Sequence, residues 1–392
     1  MNEIILNTKV QSFINKHLDS NVTSLIFKGS PFLEIETKVL VEQIEAKKRC
    51  QKKLPTWFNT ENIYFPNKLN IEQTSSETTA SYKAQLIHGE SLIDLTGGFG
   101  VDCYYFSKTF KHVKHCELNE SLSKLVAHNF VQLKTNIETI HIDGIDYLKS
   151  SKEHFSWVYI DPSRRHDSKG KVFFLKDCLP NVPQHLDLLF EASHNIMIKT
   201  SPLLDFSVGL KELKHVKTIH VVAVNNEVKE LLWVLEKGYN EETEVKTVNL
   251  KPQINEVFNF LLKEEPNAIV DYQLPLSYLY EPNAALLKSG AFNTIACKLN
   301  IGKLHKHSHL YTSDKLIDFP GRRFRIQQIL AYSKKLLKKE SFTKANITVR
   351  NFPETVEQLR KRYHIKDGGD IYLFFTMDYS DSKIVLVCAK IS

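Results

Sequence analysis

The stretch SLIDLTGGFGVDCYYFSK, residues 91–108, is the most informative part of the sequence for predicting the fold. An apolar run ends on the acid Asp94, a cluster of glycines follows, and a helix-forming segment begins directly afterwards. Gly97, Gly98 and Gly100 permit positive φ angles and let a ligand approach the main chain closely. The stretch therefore predicts a strand, a ligand-binding turn and a helix.

Further short apolar runs follow this unit, and amphipathic segments separate several of them. The runs cover residues 113–117, 139–142, 157–160, 195–199 and 218–224. Strands that alternate with helices are typical of an open, mostly parallel sheet covered on both faces. Ligands bind at the carboxyl ends of the strands in such sheets. The predicted fold class is therefore α/β with a Rossmann-like core.

The two ends of the chain follow other patterns. Residues 1–60 read as helices, and 39–54 are apolar on one side and charged on the other. The segment RRFRIQQILAYSKKLLKK, residues 322–339, is predicted as a basic helix. A strand in ANITVRNF (345–352), a helix in TVEQLRKRYHI (355–365) and two β-rich runs complete a compact α+β module.

Composition excludes several classes of protein. With 42% hydrophobic and 25% charged residues, the chain of 392 residues is typical of soluble globular proteins. No window approaches the roughly 18 apolar residues of a membrane span, and the N-terminus lacks a signal-peptide core. The six cysteines are scattered without a CxxC pair, so we expect reduced thiols, a cytoplasmic location and no metal site.

The positive charge is concentrated in one part of the sequence. Residues 301–366 contain 16 basic and 5 acidic residues, a net charge of +11, whereas residues 1–250 sum to −1. A basic module on a neutral body indicates a polyanionic partner. A solvated helix face is the alternative for the lysine run 334–339 taken alone.

The residues around the glycine turn narrow the choice of ligand. Glu117 ends the next predicted strand, where a carboxylate can accept both hydroxyls of a ribose, as in dinucleotide-binding folds. The dinucleotide fingerprint is G-x-G-x-x-G, however, and here the spacing is G-G-x-G after Asp-x-Thr. An acid before the turn disfavours phosphate and favours a cationic or amino-bearing ligand such as S-adenosylmethionine.

The segment DLTGGFGVD (94–102) resembles the first motif of class I S-adenosylmethionine-dependent methyltransferases. CELN (116–119), HIDG (141–144) and YIDPSRR (159–165) match the later motifs in order. The resemblance implies that Glu117 holds the cofactor ribose and Asp143 the adenine amine. The full set of cofactor residues that it implies is Asp94, Thr96, Gly97, Gly98, Gly100, Asp102, Glu117, Leu118, Asp143, Gly144 and Asp161.

A closer resemblance covers more of the chain. The segments are QTSSETTASYKA (73–84), DPSRR (161–165), KTSPLLD (199–205), VNNEVKELLW (224–233), EPNAALLKSGAF (281–292) and RNFPETVEQLRKR (350–362). They resemble a subgroup of RNA methyltransferases with a ferredoxin-like insert and a C-terminal THUMP-like domain. The predicted domains are a helical region (1–84), a cofactor-binding domain (85–262), a ferredoxin-like segment (263–322) and a THUMP-like domain (323–392).

The same resemblance implies a structured RNA, ribosomal or transfer, as partner, with neither DNA nor membrane. Arg164 and Arg165 follow the fourth strand, where a phosphate contact and an internal salt bridge are equally open. The candidates for RNA backbone contact in the basic module are Arg322, Arg323, Arg325, Lys334, Lys335, Arg360, Lys361 and Arg362.

The methylated atom is less directly indicated. Base-amine methyltransferases typically carry [DN]-P-P-[FYW] after strand four, whereas this chain has Asp161-Pro-Ser-Arg. Carbon-5 methylation needs a nucleophilic cysteine, and the nearest one, Cys178, is interpreted as structural.

Ribose 2′-O-methyltransferases resembling FtsJ use a Lys-Asp-Lys-Glu tetrad, and this chain resembles them in having a residue of the right type at each corresponding place. The residues are Lys83, Asp161, Lys199 and Glu227, with Glu230 as a substitute for the last. The hypothesis is that Lys199 promotes deprotonation of a ribose 2′-hydroxyl, while the other three orient it. The alternative is that Lys83 is solvated and Lys199 pairs locally.

Two other functions stay open at this point. One is methylation of an exocyclic base amine of RNA. The other is a non-catalytic RNA-binding role in ribosome assembly, in which the cofactor fold is retained as a scaffold. The acids at the strand ends argue against the second.

Overall fold

The computed structural model describes residues 2–164 and 174–391. The chain forms two compact units, one of Met1–Lys217 with Leu231–Asn240, the other of Thr218–Glu230 with Glu241–Ser392. Within the described residues, no helix is both long enough and apolar enough to cross a membrane.

The first unit begins with helices, as predicted. After a short 3-10 helix, Glu3–Leu6, these are α1 (Thr8–Lys16), α2 (Val22–Lys28), α3 (Thr37–Lys53), α4 (Pro55–Asn59), α5 (Lys68–Gln73) and α6 (Glu77–Leu86). Helix α3 buries Leu40, Val41 and Ile44 in a small core with α1 and α2. Its amphipathic pattern therefore marks a packing face.

The rest of the first unit is a sheet with alternating helices. The strands are β1 (Gly89–Asp94), β2 (Phe110–Glu117), β3 (Ile137–His141), β4 (Trp157–Ile160), β5 (Ser163–Arg164), β6 (Cys178–Leu179) and β7 (Asn195–Thr200). The helices are α7 (Val101–Phe106), α8 (Glu120–Gln132), α9 (Gly144–Ser150), α10 (Val182–Ala192) and α11 (Phe206–Glu212), with a 3-10 turn at Leu175–Asp177. Strands β8 (Val216–Val224) and β9 (Glu227–Glu236) follow, and each has residues in both units.

The strand order in this unit is β9–β7–β4–β1–β2–β3. Strands β1, β2, β3, β4 and β7 pair in parallel, and β9 runs antiparallel to β7. The central strands are fully buried, as Leu92, Val158 and Ile198 show. Their carboxyl ends meet at one edge of the sheet, which carries the predicted motifs.

In the second unit, β10 (Glu244–Leu250) pairs in parallel with β8 and antiparallel with β11 (Glu256–Leu261). The other strands are β12 (Tyr278–Pro282), β13 (Gly302–Lys303), β14 (Tyr311–Ser313), β15 (Gly321–Ala331), β16 (Asn346–Val349), β17 (Ile371–Met377) and β18 (Lys383–Ile391). They form a sheet in the order β13–β14–β12–β15–β18–β17–β16. The helices are α12 (Glu264–Asn267), α13 (Ala284–Ser289), α14 (Thr294–Leu299), α15 (Lys334–Glu340) and α16 (Val356–Tyr363).

The predicted basic helix over 322–339 is wrong for its first half. Residues 321–331 form β15, which pairs with both β12 and β18, and only 334–340 are helical. Phe324 and Leu330 are buried in the sheet cores, and a register shift lies between Ile326 and Gln328. Pairing on both sides outweighs the local pattern of charged and apolar residues here. The strands and the helix predicted after residue 345 are confirmed.

Candidate active site

The glycine turn joins β1 to α7, and its three glycines have different roles. A Cβ on Gly97 would lie 2.3 Å from the ring of His115, and one on Gly100 (φ +80°) would lie 2.5 Å from Phe130. Packing therefore requires both. At Gly98 (φ +54°) the nearest heavy atom would be 3.8 Å away. Gly98 is thus the glycine that faces open space, where a ligand can approach the main chain.

Asp94, the last residue of β1, stabilises the turn through hydrogen bonds. Its buried carboxylate accepts hydrogen bonds from the amide of Thr96 (2.9 Å) and its hydroxyl (3.2 Å), and from the thiol of Cys103 (3.3 Å). Burial raises the pKa of Asp94 to about 7; the Thr96 hydrogen bond opposes this, and the charges of Asp102 and Asp161 add to it. Asp94 therefore changes charge near neutral pH.

This shift predicts a pH-dependent stability difference between wild type and Asp94→Asn. A carboxyl group whose pKa is raised by folding binds its proton more tightly in the folded state, so stability falls as pH rises from about 4 to about 7. The amide side chain of the variant cannot ionise. The free energy of unfolding of Asp94→Asn, relative to that of wild type, should therefore increase by ~3 kcal/mol between pH 4 and pH 7. Urea unfolding of both proteins at several pH values measures this difference, and parallel curves would contradict it.

The carboxylate of Glu117 lies beside the turn, at the end of β2. It accepts hydrogen bonds from the amide of Gly98 (3.0 Å) and the amide of Asn119 (2.7 Å), one on each oxygen. Each carboxylate oxygen keeps a free lone pair, so both can still accept a hydroxyl. The residue is thus fixed by backbone donors in a form suited to a vicinal diol such as ribose.

Asp143 lies at the corresponding place after β3 and caps helix α9. Its Oδ1 accepts from the amides of Ile145 (2.8 Å) and Asp146 (3.3 Å), while Oδ2 has no hydrogen-bond partner among the described residues. One oxygen is therefore available to an amine. Gly144 permits close packing, because a Cβ there would lie 2.4 Å from the carbonyl of Leu95.

An exposed apolar residue lies next to one of these acids in sequence. Leu118 follows Glu117 directly and leaves 67% of its side chain exposed. Diol acceptors, an amine acceptor, an exposed leucine and an open glycine turn together fit the ribose, adenine and backbone-facing parts of S-adenosylmethionine.

Asp161 and Lys199 form an ion pair at the carboxyl ends of β4 and β7. The register explains the pair, because Ile160 lies opposite Ile198, and the next residue on each strand is therefore also a neighbour. The amide of Asp161 donates to the hydroxyl of Thr96 at 2.7 Å, which ties the pair to the glycine turn. The structure thus brings together two of the four predicted catalytic residues.

Lys83, the third member, is completely buried on α6, so the alternative of a solvated lysine is wrong. Its ammonium lies 3.2 Å from Oδ1 of Asp102 and donates to the hydroxyl of Ser75 at 3.0 Å. Oδ2 of Asp102 also accepts from Ser75 (2.8 Å) and from the hydroxyl of Tyr159 (2.9 Å). Burial would raise the pKa of Asp102, but the charges of Lys83 and Lys199 and these hydrogen bonds lower it below its ordinary value. We call Ser75, Lys83, Asp102 and Tyr159 the buried polar cluster.

The buried polar cluster is only partly predictable from the sequence. The resemblance predicts that Asp102 binds cofactor, and this stays a prediction; what the motifs did not indicate is that Lys83, Ser75 and Tyr159 contact its carboxylate. Ser75 lies in the quoted motif 73–84 and Tyr159 in YIDPSRR, so both belong to recognised motifs without an assigned role.

Glu227, the fourth member, lies in the second unit. Its side chain is 73% exposed and pairs with Lys229 at 2.7 Å. The preceding turn is fixed, because the amide of Asn226 donates to Asn249 and its side chain accepts from the amide of Ala284, both at 2.7 Å. Its possible substitute, Glu230, is buried.

The segment after Asp161 contains the nearest cysteine. Ser163 and Arg164 form β5, in which Arg164 lies opposite Cys178 on β6. The thiol of Cys178 is fully buried and donates to the carbonyl of Phe174 at 3.6 Å, in agreement with a structural role. Arg165 lies outside the described residues.

Most of the predicted RNA-binding arginines are held within the second unit. Arg322 pairs with the buried Glu281, Arg323 with Asp318 at 3.6 Å, and Arg362 with Glu354 at 2.6 Å. Arg360 also pairs with an acid, Asp367. Arg325 differs, because its described contact is with the ring of Tyr278, whose centre lies 5.8 Å from the guanidinium. In contrast, the described contacts give no acidic partner to the exposed Lys334, Lys335 and Lys361.

Comparison with known proteins places this architecture in a family. A solved structure described as "putative methyltransferase from Porphyromonas gingivalis W83" is 31% identical, with a TM-score of 0.91, and the alignment covers 100% of this chain and 99% of that one. Family profiles match a ferredoxin-like domain at residues 278–320 and a THUMP domain-like region at 321–390. The comparison with curated proteins gave no match.

Smaller parts of the chain align with other structures. An rRNA methylase from Streptococcus thermophilus is 15% identical over 41% of this chain and 93% of that one, with a TM-score of 0.30. TrmK of M. capricolum, in complex with S-adenosyl-homocysteine, is 15% identical over 42% and 70%, with a TM-score of 0.32.

The fold and the strand-end motifs define a Rossmann-like protein with ferredoxin-like and THUMP domain-like regions, and the predicted fold class is confirmed. The chain belongs to the methyltransferase family of the Porphyromonas gingivalis protein, as the sequence motifs implied.

Proposed function

We propose that this protein is an S-adenosylmethionine-dependent RNA methyltransferase and that its target is a ribose 2′-hydroxyl. The observation that carries the proposal is the ion pair of Lys199 with Asp161 at two adjoining strand ends, tied through Thr96 to the glycine turn. A cation and a carboxylate next to the cofactor turn are the groups that an unreactive hydroxyl requires.

The cofactor would be held by the residues whose geometry fits it. Glu117 would accept the ribose hydroxyls, Asp143 the adenine amine through its free oxygen, and Leu118 would contact the base. Gly98 would let the ligand approach the main chain. When bound there, S-adenosylmethionine supplies a methyl group made electrophilic by its sulfonium.

The protein residues have to make the hydroxyl nucleophilic. Its pKa lies far above 7, and the charge of Lys199 would lower it by favouring the alkoxide. Asp161 would hold the ammonium in place and receive the proton, which then passes to solvent. The bound cofactor would then give its methyl group to the oxygen and leave as the neutral thioether, so charge would be neutralised. Lys83 would contribute through Asp102.

The proposed substrate is a structured RNA, ribosomal or transfer. Two features support this choice, the THUMP domain-like match at 321–390 and the net charge of +11 over residues 301–366. Both point to a polyanion, which the neutral cofactor-binding region would not attract by itself.

One observation favours a base amine as the second candidate. Asp161-Pro162 after β4 begins in the same way as the motif of base-amine methyltransferases. The next residues, Ser163 and Arg164, lack the aromatic side chain that stacks on a flipped base in those enzymes. The ribose target therefore remains the proposal.

The test uses labelled S-adenosylmethionine, the purified protein and total RNA from a strain that lacks it. Alkaline cleavage of RNA requires a free 2′-hydroxyl, so ribose methylation should leave the label in resistant dinucleotides. Label in mononucleotides would move the target to a base. Cofactor binding without any labelled RNA would favour the assembly-factor alternative.

A further inference from the structure

Two lysines in the THUMP domain-like region lie side by side. Lys344 and Lys366 are bridge partners in neighbouring parallel segments, and the amide of Ala345 donates to the carbonyl of Lys366 at 3.0 Å. The next residue on one segment, Ala345, and the preceding one on the other, Ile365, are buried. The alternation of an extended backbone therefore directs both lysines to the solvent.

This arrangement places two like charges next to each other. The described contacts give neither Lys344 nor Lys366 an acidic partner, although Asp367 follows directly in sequence. The carboxylate of Asp367 is engaged by Arg360, which also donates to the carbonyls of Ala345 and Ile365. Like charges at opposed positions destabilise a pair of strands. An anion bound between them would remove that repulsion.

The neighbouring turn KDGGD fits around one of these lysines. Gly368 (φ +94°) and Gly369 (φ +84°) have backbone conformations that other residues rarely adopt. A Cβ on Gly368 would lie 3.0 Å from Cε of Lys344, so the glycine leaves room for the lysine stem. The side chain of Asn346 donates to the carbonyl of Gly369 at 2.7 Å and fixes the turn. The stem of Lys344 thus lies against the turn.

Helices α15 and α16 pack on the face of the sheet opposite to these two lysines. Leu337 of α15 and Leu359 of α16 belong to the same core cluster as Ala345 and Ile365, so both helices cover this part of the sheet. The exposed lysines on the solvent side of these helices, without an acidic partner among the described residues, are Lys334, Lys335, Lys338, Lys339 and Lys361. Four arginines of the same region pair with acids, as given above, whereas the exposed Arg325 contacts the ring of Tyr278.

We propose that Lys344 and Lys366 form a phosphate-binding point for the RNA backbone, and that the arginines of this region that pair with acids are structural. The proposal rests on the RNA substrate proposed above and names the surface that receives it. Lysine contacts of this kind position an RNA without reading its sequence.

The test compares RNA binding by the double variant Lys344→Gln/Lys366→Gln with that of wild type over a range of KCl concentrations. The probe is unfractionated transfer RNA with a 3′ fluorescein, followed by fluorescence anisotropy. Loss of two phosphate contacts should flatten the slope of log K against log [KCl] by about 1.5 and weaken binding by on the order of tenfold or more at low salt. The melting temperature should be unchanged or higher, since a repulsion is removed.

The matched control is Lys306→Gln/Lys315→Gln, which removes the same charge from two exposed lysines of the ferredoxin-like region without an acidic partner among the described residues. Its slope should stay within about 0.5 of wild type. Equal slopes for wild type and the Lys344/Lys366 variant would overturn the surface proposal while wild type still binds and methylates RNA. Equal losses in both variants would also overturn it, because net charge would then explain the binding. Failure of wild type to bind RNA would overturn the proposed function itself.

Discussion

Lys199→Ala should reduce methyl transfer to RNA by about 10²–10⁴-fold and leave cofactor affinity nearly unchanged. The residue lies at the end of β7 in an ion pair with Asp161, whereas the residues proposed to hold the ribose and adenine of the cofactor are Glu117, which ends β2, and Asp143, which follows β3. Its charge is needed only when an alkoxide develops, so its loss acts on the chemical step. Single-turnover transfer rates and calorimetric titration of the cofactor measure the two effects separately.

Lys217→Ala is the matched control for this variant. Lys217 lies in the same unit at the start of β8, is about half exposed and pairs with Glu236 at 2.6 Å. It should transfer methyl groups at the wild-type rate. Lys199→Arg keeps the charge with a different shape and should retain part of the activity. Full activity of Lys199→Ala would remove Lys199 from the mechanism.

The core of the fold could be predicted because its signals are local. Each strand at the centre of the first sheet is a short apolar run between amphipathic segments, and parallel sheets bury such runs on both faces. Strand β15 was missed for the opposite reason. Its sequence alternates poorly, with Gln327, Gln328 and Ile329 all exposed, and pairing with β18 on one side holds this half. That pairing is a long-range property that no local pattern contains.

The candidate site divides in the same way. Asp161 and Lys199 were found because strand ends of a parallel sheet meet at one edge, so motif position implies proximity. Motif position does not predict the contacts of Lys83 in the same way. Ser75 and Asp102 are 27 residues apart in sequence, and they meet only because α6 packs on α7. A count of charges in the sequence likewise does not distinguish Arg360, which pairs with Asp367, from Lys344, which has no acidic partner among the described residues.

The largest stability effect is expected for Lys83→Met, which leaves Asp102 buried without its cation. Lys83 is fully buried and the side chain of Asp102 is 11% exposed. Removal of one partner from such a pair typically costs about 3–5 kcal/mol of unfolding free energy, because the remaining charge is buried and uncompensated. Urea unfolding at pH 7 should show this loss. Lys149→Met, which breaks an exposed pair with Asp146, should change stability little.

A second substitution separates charge from packing. In Lys83→Met/Asp102→Asn no ionised group is left in the buried polar cluster, so a substantial part of the lost stability should return. The pH dependence of the stability loss gives a further test. The pKa of Asp102 is lowered in the folded protein, so its stabilising contribution is present above the unfolded pKa of about 4 and is lost as pH falls through the folded pKa. The difference between wild type and Lys83→Met should therefore shrink as pH falls and the Asp102 carboxyl group takes up its proton, first in the variant and then in wild type.

The same variants decide what the buried polar cluster does in catalysis. If Lys83 acts through Asp102 on the field at Lys199, the folded fraction of the double variant should transfer methyl groups more slowly, with a shifted pH profile and unchanged RNA affinity. A double variant with the wild-type rate and profile would show that the cluster only joins α6 to α7. In that case Lys199 and Asp161 would remain as the catalytic pair without Lys83.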